Sequence, residues 1–147
     1  QARFSPAYFV GIIRDGRAVA EGIRRKNGHD LESAARQWAR SNEIMLRDFE
    51  HLQNKRLITY ERLTAEPDAV VAELLEFLEL PGLETSLGNR EWKVHEQKTV
   101  VKNMNPRSLQ ALSPQELDLI EREAGPMLQK LGYTGLPSSA APGTAPP

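Results

Sequence analysis

Residues 7–22 read Ala7-Tyr8-Phe9-Val10-Gly11-Ile12-Ile13-Arg14-Asp15-Gly16-Arg17-Ala18-Val19-Ala20-Glu21-Gly22. The first seven form a short apolar run with aromatic and β-branched side chains, which reads as a buried strand. Arg14 stands at its carboxyl end. Asp15 is a good N-cap for a helix that Arg17-Ala18-Val19-Ala20 begins. An arginine at a strand-to-helix crossing lies beside free backbone N–H groups and the positive end of a helix dipole. Open α/β sheets hold anions at such places, phosphate above all.

The pattern continues outward from this turn. Residues 7–14 read as strand and 16–26 as helix, followed by a turn at 27–30 with Asp30 as the next N-cap. A long helix is predicted from Leu31 to Leu52, with Leu31, Ala34, Ala35, Trp38, Met45, Leu46 and Phe49 on one apolar stripe. Asn42 falls inside that stripe and needs a polar partner there. Lys55 to Tyr60 reads as a second strand. Pro67 opens a helix carrying Val70, Val71, Leu74, Leu75 and Leu78, which ends before Pro81-Gly82. Residues 83–112 lack a clear period and read as an irregular excursion, with a short strand or turn near Thr99-Val100-Val101. Ser113-Pro114-Gln115-Glu116 is a capping box. The helix after it bears Leu117, Ile120, Ala124, Leu128 and Leu131, with a kink expected at Gly125-Pro126 and a stop at Gly132. The tail from Ser138 to Pro147 has a disordered composition.

Two strands separated by helices imply a parallel pair in an α/β layer architecture. Two parallel strands alone make a poor sheet, because such sheets are wider and covered on both faces. The abrupt start on a buried-type strand agrees. Both point to further strands on the amino-terminal side, or to association with another chain.

Composition excludes several function classes. The net charge is −1, so the surface as a whole is not built for nucleic acid or anionic membrane, and an anion site must be a local cluster. Arg14, Arg17, Arg24, Arg25 and Lys26 form one against Asp15 and Glu21. The absence of cysteine excludes disulfides, thiolate metal ligands and a cysteine nucleophile. His29, His51 and His95 are far apart in sequence and form no metal motif. No apolar run approaches the ~20 residues of a membrane span. The cysteine-free, Ala/Pro-rich character fits a cytoplasmic protein.

Several stretches together resemble one family. Arg14-Asp15-Gly16-Arg17-Ala18-Val19 resembles the 3′-phosphate-binding motif of sulfotransferases that use 3′-phosphoadenosine 5′-phosphosulfate (PAPS). Ile58-Thr59-Tyr60-Glu61-Arg62-Leu63 with Glu66-Pro67 is similar to the Tyr-Glu-Asp-Leu…Pro segment of that family. Leu74 to Pro81 is similar to its Phe-Leu-Gly-Leu-Pro ending, and Trp38 with Asn42 to its Trp-x-x-x-Asn pairing. Gly125 to Tyr133 resembles its terminal helix, which ends Leu-Gly-Tyr. The nearest flavour is the protein-tyrosine sulfotransferase-like branch, including bacterial relatives. The resemblance implies a P-loop-NTPase-like three-layer α/β fold with a parallel sheet. Residues 1–136 would be its C-terminal part, with two main strands and four or five helices, and 137–147 a disordered tail. The family's turn that cradles the 5′-phosphosulfate has no counterpart in these residues, so the catalytic base is unassigned.

The resemblance also assigns site residues. Arg14 would hold the 3′-phosphate; the alternative is a structural arginine paired to a carboxylate such as Glu61. Gly22 stands where the family usually has a serine that shares this phosphate. Either the backbone there approaches the ligand closely, or affinity for the phosphate is weaker. Lys26 is the further basic residue of the same helix; the alternative is a solvated, dipole-favourable helix end. Tyr60 would pack near the adenine, or be a half-buried strand-end aromatic. Glu61 reads as structural, Arg17 as a structural or surface ion pair, and Trp38 as core. Lys102 and Asn105 match the segment that closes over the cosubstrate, although Ala111-Leu112 replaces the Lys-Trp pair often found after it. The implied partners are the nucleotide cosubstrate and a hydroxyl-bearing acceptor, with no metal and no nucleic acid. The reaction would be sulfuryl transfer. The alternatives are a non-catalytic phosphate- or nucleotide-binding module and a P-loop kinase-like enzyme.

Overall fold

The computed structural model describes residues 6–80, 82–83, 91–94 and 97–135. Strand β1 (Phe9–Ile13) leads through Arg14 and Asp15 into helix α1 (Gly16–Asn27). The Asp15 carboxylate accepts the Arg17 N–H at 3.0 Å, which sets the start of α1. Gly28 ends it with φ of 70°, a left-handed cap that favours glycine. Asp30 caps α2 (Leu31–Glu50) through the Ser33 N–H at 2.8 Å. The predicted apolar stripe faces inward, and Asn42 finds its partner in the Trp38 carbonyl at 2.9 Å.

Strand β2 (Lys55–Thr59) lies parallel to β1, with Phe9 opposite Lys55 and Ile13 opposite Thr59. It ends one residue earlier than the sequence suggests. The Thr59 hydroxyl accepts the Arg62 N–H at 3.2 Å and caps a short helix, α3 (Tyr60–Ala65). Tyr60 therefore opens a helix rather than closing a strand. Pro67 starts α4 (Pro67–Phe77) as predicted.

The stretch read as irregular holds more order than its period suggests. It contains a small antiparallel pair, β3 (Trp92–Val94) and β4 (Gln97–Thr99), and a helix, α5 (Asn105–Gln110). Helix α6 (Pro114–Lys130) carries the full capping box between Ser113 and Glu116. Pro126 lies inside α6, which runs on to Lys130, and Gly132 stops the helix at φ of 81°. The described residues thus hold six helices instead of four or five. The tail called disordered, and residues 84–90 and 95–96 within the irregular stretch, lie outside the described residues.

The core sits where α1, α2 and α6 meet. Ala20, Ala34, Ala35 and Ala124 are fully buried, and these small side chains let the helices approach closely around Ile120 and Leu128. Gly11 belongs to the α2 side of the sheet, where a Cβ would come within 2.7 Å of Phe49. On the opposite face Arg56 lies over the Phe77 ring of α4 at 5.5 Å. Helices therefore cover both faces at β2. Beside it, Val10 and Ile12 of β1 are 43% and 51% exposed.

Candidate functional site

Arg14 is half-buried at the end of β1. Its Nε–H donates to Asn105 Oδ1 at 2.7 Å. Its guanidinium carbon lies 4.3 Å from the centre of the Tyr60 ring, a cation–π contact. Its carbonyl accepts from the Trp38 indole at 3.2 Å. Backbone, Nε and one face of the guanidinium are thus all held. Among the described residues no carboxylate pairs with Arg14 and no acceptor takes its terminal nitrogens.

The direct Arg14–Glu61 pair considered from sequence does not form. Asn105 is buried and stands between them, accepting from Arg14 and donating through Nδ2 to Glu61 Oε1 at 2.6 Å. Glu61 also accepts the Asp15 N–H at 3.0 Å and the Tyr133 hydroxyl at 2.9 Å. It serves as a structural hub that joins the turn, α3, α5 and the end of α6. Burial first, and then the adjoining Glu61 carboxylate, hold the Tyr133 phenol far above its usual range, so it stays a donor.

The expectation of free N–H groups at the helix start holds only in part. The Asp15 N–H is taken by Glu61 and the Arg17 N–H by the Asp15 carboxylate. Two protein carboxylates already answer the positive end of α1. Anion capture at this turn rests on the Arg14 side chain, more than on the helix terminus. Arg17 is no surface pair: it is 2% exposed and binds both Asp15 oxygens at 3.0 Å. Its Nη1 also donates to the Gly135 carbonyl and to Glu121.

Tyr60 stacks under Arg14, and its hydroxyl clasps the segment before α5. It donates to the Lys102 carbonyl at 3.1 Å and accepts from the Met104 N–H at 3.0 Å. The backbone of Lys102 is thereby fixed beside Arg14, while its side chain is exposed and has no carboxylate partner among the described residues. Arg14, Tyr60, Lys102 and Asn105, 91 residues apart at the extremes, thus form one cluster.

Gly22 and Lys26 lie farther along α1 and outside this cluster. A Cβ at Gly22 would meet nothing within 4 Å, so no protein group crowds that backbone. Of the basic trio in the last turn, Arg24 pairs with Glu116 and Arg25 with Glu21. Lys26 is exposed and has no such partner among the described residues. Of the residues in place of the Lys-Trp pair, Ala111 closes α5 and Leu112 enters the core at 8% exposure.

Sequence reasoning missed Glu61 as the centre of the cluster and Tyr133 as part of it. A carboxylate two residues after Thr59, at a strand-to-helix crossing facing the first, was the available signal. Among the described residues no group of three side chains stands ready to hold a metal, and no helix is long and apolar enough to cross a membrane.

Residues 2–85, more than half the chain, match the family described as "Sulfotransferase family". The chain is 25% identical to the protein-tyrosine sulfotransferase of Drosophila melanogaster, across 88% of this chain and 31% of that protein. It is 26% identical to protein-tyrosine sulfotransferase A of Caenorhabditis elegans, across 88% of this chain and 40% of that protein. The chain therefore spans less than half the length of these curated relatives.

Proposed function

Because the chain belongs to the sulfotransferase family, we propose that it supplies the 3′-phosphate and adenine side of a sulfotransferase that uses PAPS. The observation that carries this reading is Arg14: a guanidinium fixed through its Nε and one face, with its terminal nitrogens left to a ligand. A planar fork of this kind suits a bidentate phosphate contact. Lys102, beside it, and Lys26, on α1, are the cations without carboxylate partners that would add to the attraction. Tyr60 holds Arg14 from below and borders the space for the base. The cosubstrate carries the activated sulfuryl group, which passes in line to an acceptor hydroxyl. This chain's residues bind and orient the nucleotide; grip on a remote phosphate positions the reacting end. Its fold class on this reading is the P-loop-like three-layer one, present in its C-terminal part.

Calorimetric titration of adenosine 3′,5′-bisphosphate tests the proposal. The wild type binds it more tightly than adenosine 5′-monophosphate, and Arg14→Ala costs on the order of 2–4 kcal/mol of that binding. Equal affinity for the two nucleotides would sink the assignment. The non-catalytic module is favoured by one observation, the missing hydroxyl at Gly22. It predicts the same binding, but no transfer when the remainder of a family domain is supplied.

A further inference from the structure

Arg14 and Glu61 are opposite charges one side chain apart, and neither is neutralised by the other. Glu61 takes three donors, all neutral: the Asp15 N–H, the Asn105 amide and the Tyr133 hydroxyl. Among the described residues Arg14 takes one acceptor, also neutral, the Asn105 amide oxygen. Of the other cations of the turn and of its helix, Arg17, Arg24 and Arg25 each touch a carboxylate, and only the exposed Lys26, at the far end of α1, touches none among the described residues. We infer that Asn105 is a positioning residue that separates Arg14 from Glu61, so that the charge of Arg14 is directed but left for a ligand phosphate.

The chemistry fixes which way the amide faces. Glu61 is an acceptor with a full set of donors around it, so only the Nδ2 end of Asn105 can approach it. The Oδ1 end must then face Arg14, whose Nε is a donor. An ionised Asp at 105 would meet Glu61 with like charge and would neutralise Arg14 directly. A shorter side chain would leave room for Arg14 and Glu61 to move into contact, where a close ion pair competes with any added anion. Asparagine is neutral, two-ended and short enough to be buried between the two. This assignment rests on the reading of Arg14 as the 3′-phosphate ligand, and it differs from a direct contact of Asn105 with the nucleotide.

Two measurements on the 147-residue chain separate the inference from that reading. The first needs no nucleotide: the solvent exchange of the Arg14 Nε–H by nitrogen-15 NMR, its resonance identified by Arg14→Lys. It is protected in the wild type and in Asn105→Asp, and fast in the double variant Asn105→Ala/Glu61→Ala, where neither acceptor is left. The second is titration of adenosine 3′,5′-bisphosphate against adenosine 5′-monophosphate. Asn105→Ala and Asn105→Asp both lose about tenfold or more in affinity for the bisphosphate, while affinity for the monophosphate is unchanged. In Asn105→Asp the loss is reversed as the pH is lowered and the introduced carboxyl is protonated. The charge-exchanged double variant Glu61→Gln/Asn105→Asp keeps the net charge of the cluster and covers the case in which the single Asp variant fails to fold. It too loses the bisphosphate preference. Wild-type bisphosphate affinity in the folded Asp variant, single or double, overturns the inference, and so does an unprotected Arg14 Nε–H in the wild type. A wild type with no bisphosphate preference, unaffected by Arg14→Ala, overturns the phosphate reading and the spacer role with it.

Discussion

A methyl group added at Gly16 would strike the Trp38 indole at 2.6 Å, whereas one added at Gly22 would meet nothing. The two glycines of α1 therefore do different things. Gly16 lets the helix start against the ring whose N–H holds the Arg14 carbonyl. Gly16→Ala forces the indole or the turn to move and destabilises the fold by about 1–3 kcal/mol, as read by urea denaturation. Gly22 serves no packing need of the protein. Gly22→Ser raises helix stability by a few tenths of a kcal/mol. On the reading proposed for this site, it also tightens the binding of adenosine 3′,5′-bisphosphate, measured by the same titration as Arg14→Ala. Unchanged or weaker binding would show that the hydroxyl does not reach the phosphate.

Helices α1 and α6 are joined by carboxylate–guanidinium pairs, Arg17 with Glu121 and Arg24 with Glu116. Glu116 has two duties, since it also closes the capping box of α6 on the Ser113 N–H. That backbone bond first, and then Arg24, lower the pKa of its carboxyl. A carboxyl lowered in the folded state stabilises fully above its unfolded value, about 4.3, and progressively less as pH falls below it. Glu116→Gln should therefore lower the melting temperature at pH 7, and the gap to wild type should narrow between pH 5 and pH 3. A gap constant across that range would contradict the role. At this scale much was legible: caps at Asp15, Asp30 and Ser113 and the stop at Gly132 are local chemistry written in a few residues. The short helices α3 and α5 were not. Each spans six residues, too few to show a 3.6-residue period. Their starts rest on one hydroxyl cap and one proline, which read as easily as strand end and loop.

In the molecule as a whole, the parallel pair is covered by helices on both faces only at β2. Val10 and Ile12 leave an apolar strip of β1 in water. Such a surface drives association. Sedimentation equilibrium of the chain should show self-association at micromolar concentration, reduced by Val10→Thr/Ile12→Thr; a strictly monomeric wild type would refute this. The candidate site shows the same division between local and distant. Arg14 and Tyr60 were legible because each directly follows a strand. The spacing between Arg14 and Glu61 was not, because it is set by residues 44 and 72 positions beyond Glu61 in the chain. That distance has a consequence in time. Synthesis proceeds from the amino end at about 5–20 residues per second. Arg14 and Glu61 are therefore both made seconds before Asn105, and Tyr133 comes last. A nascent chain has every means to bring Arg14 and Glu61 together while the residue that keeps them apart is still untranslated. The finished arrangement waits on the arrival of α5 and of Tyr133 after α6, which completes the core and, in the same step, sets Arg14 and Glu61 apart.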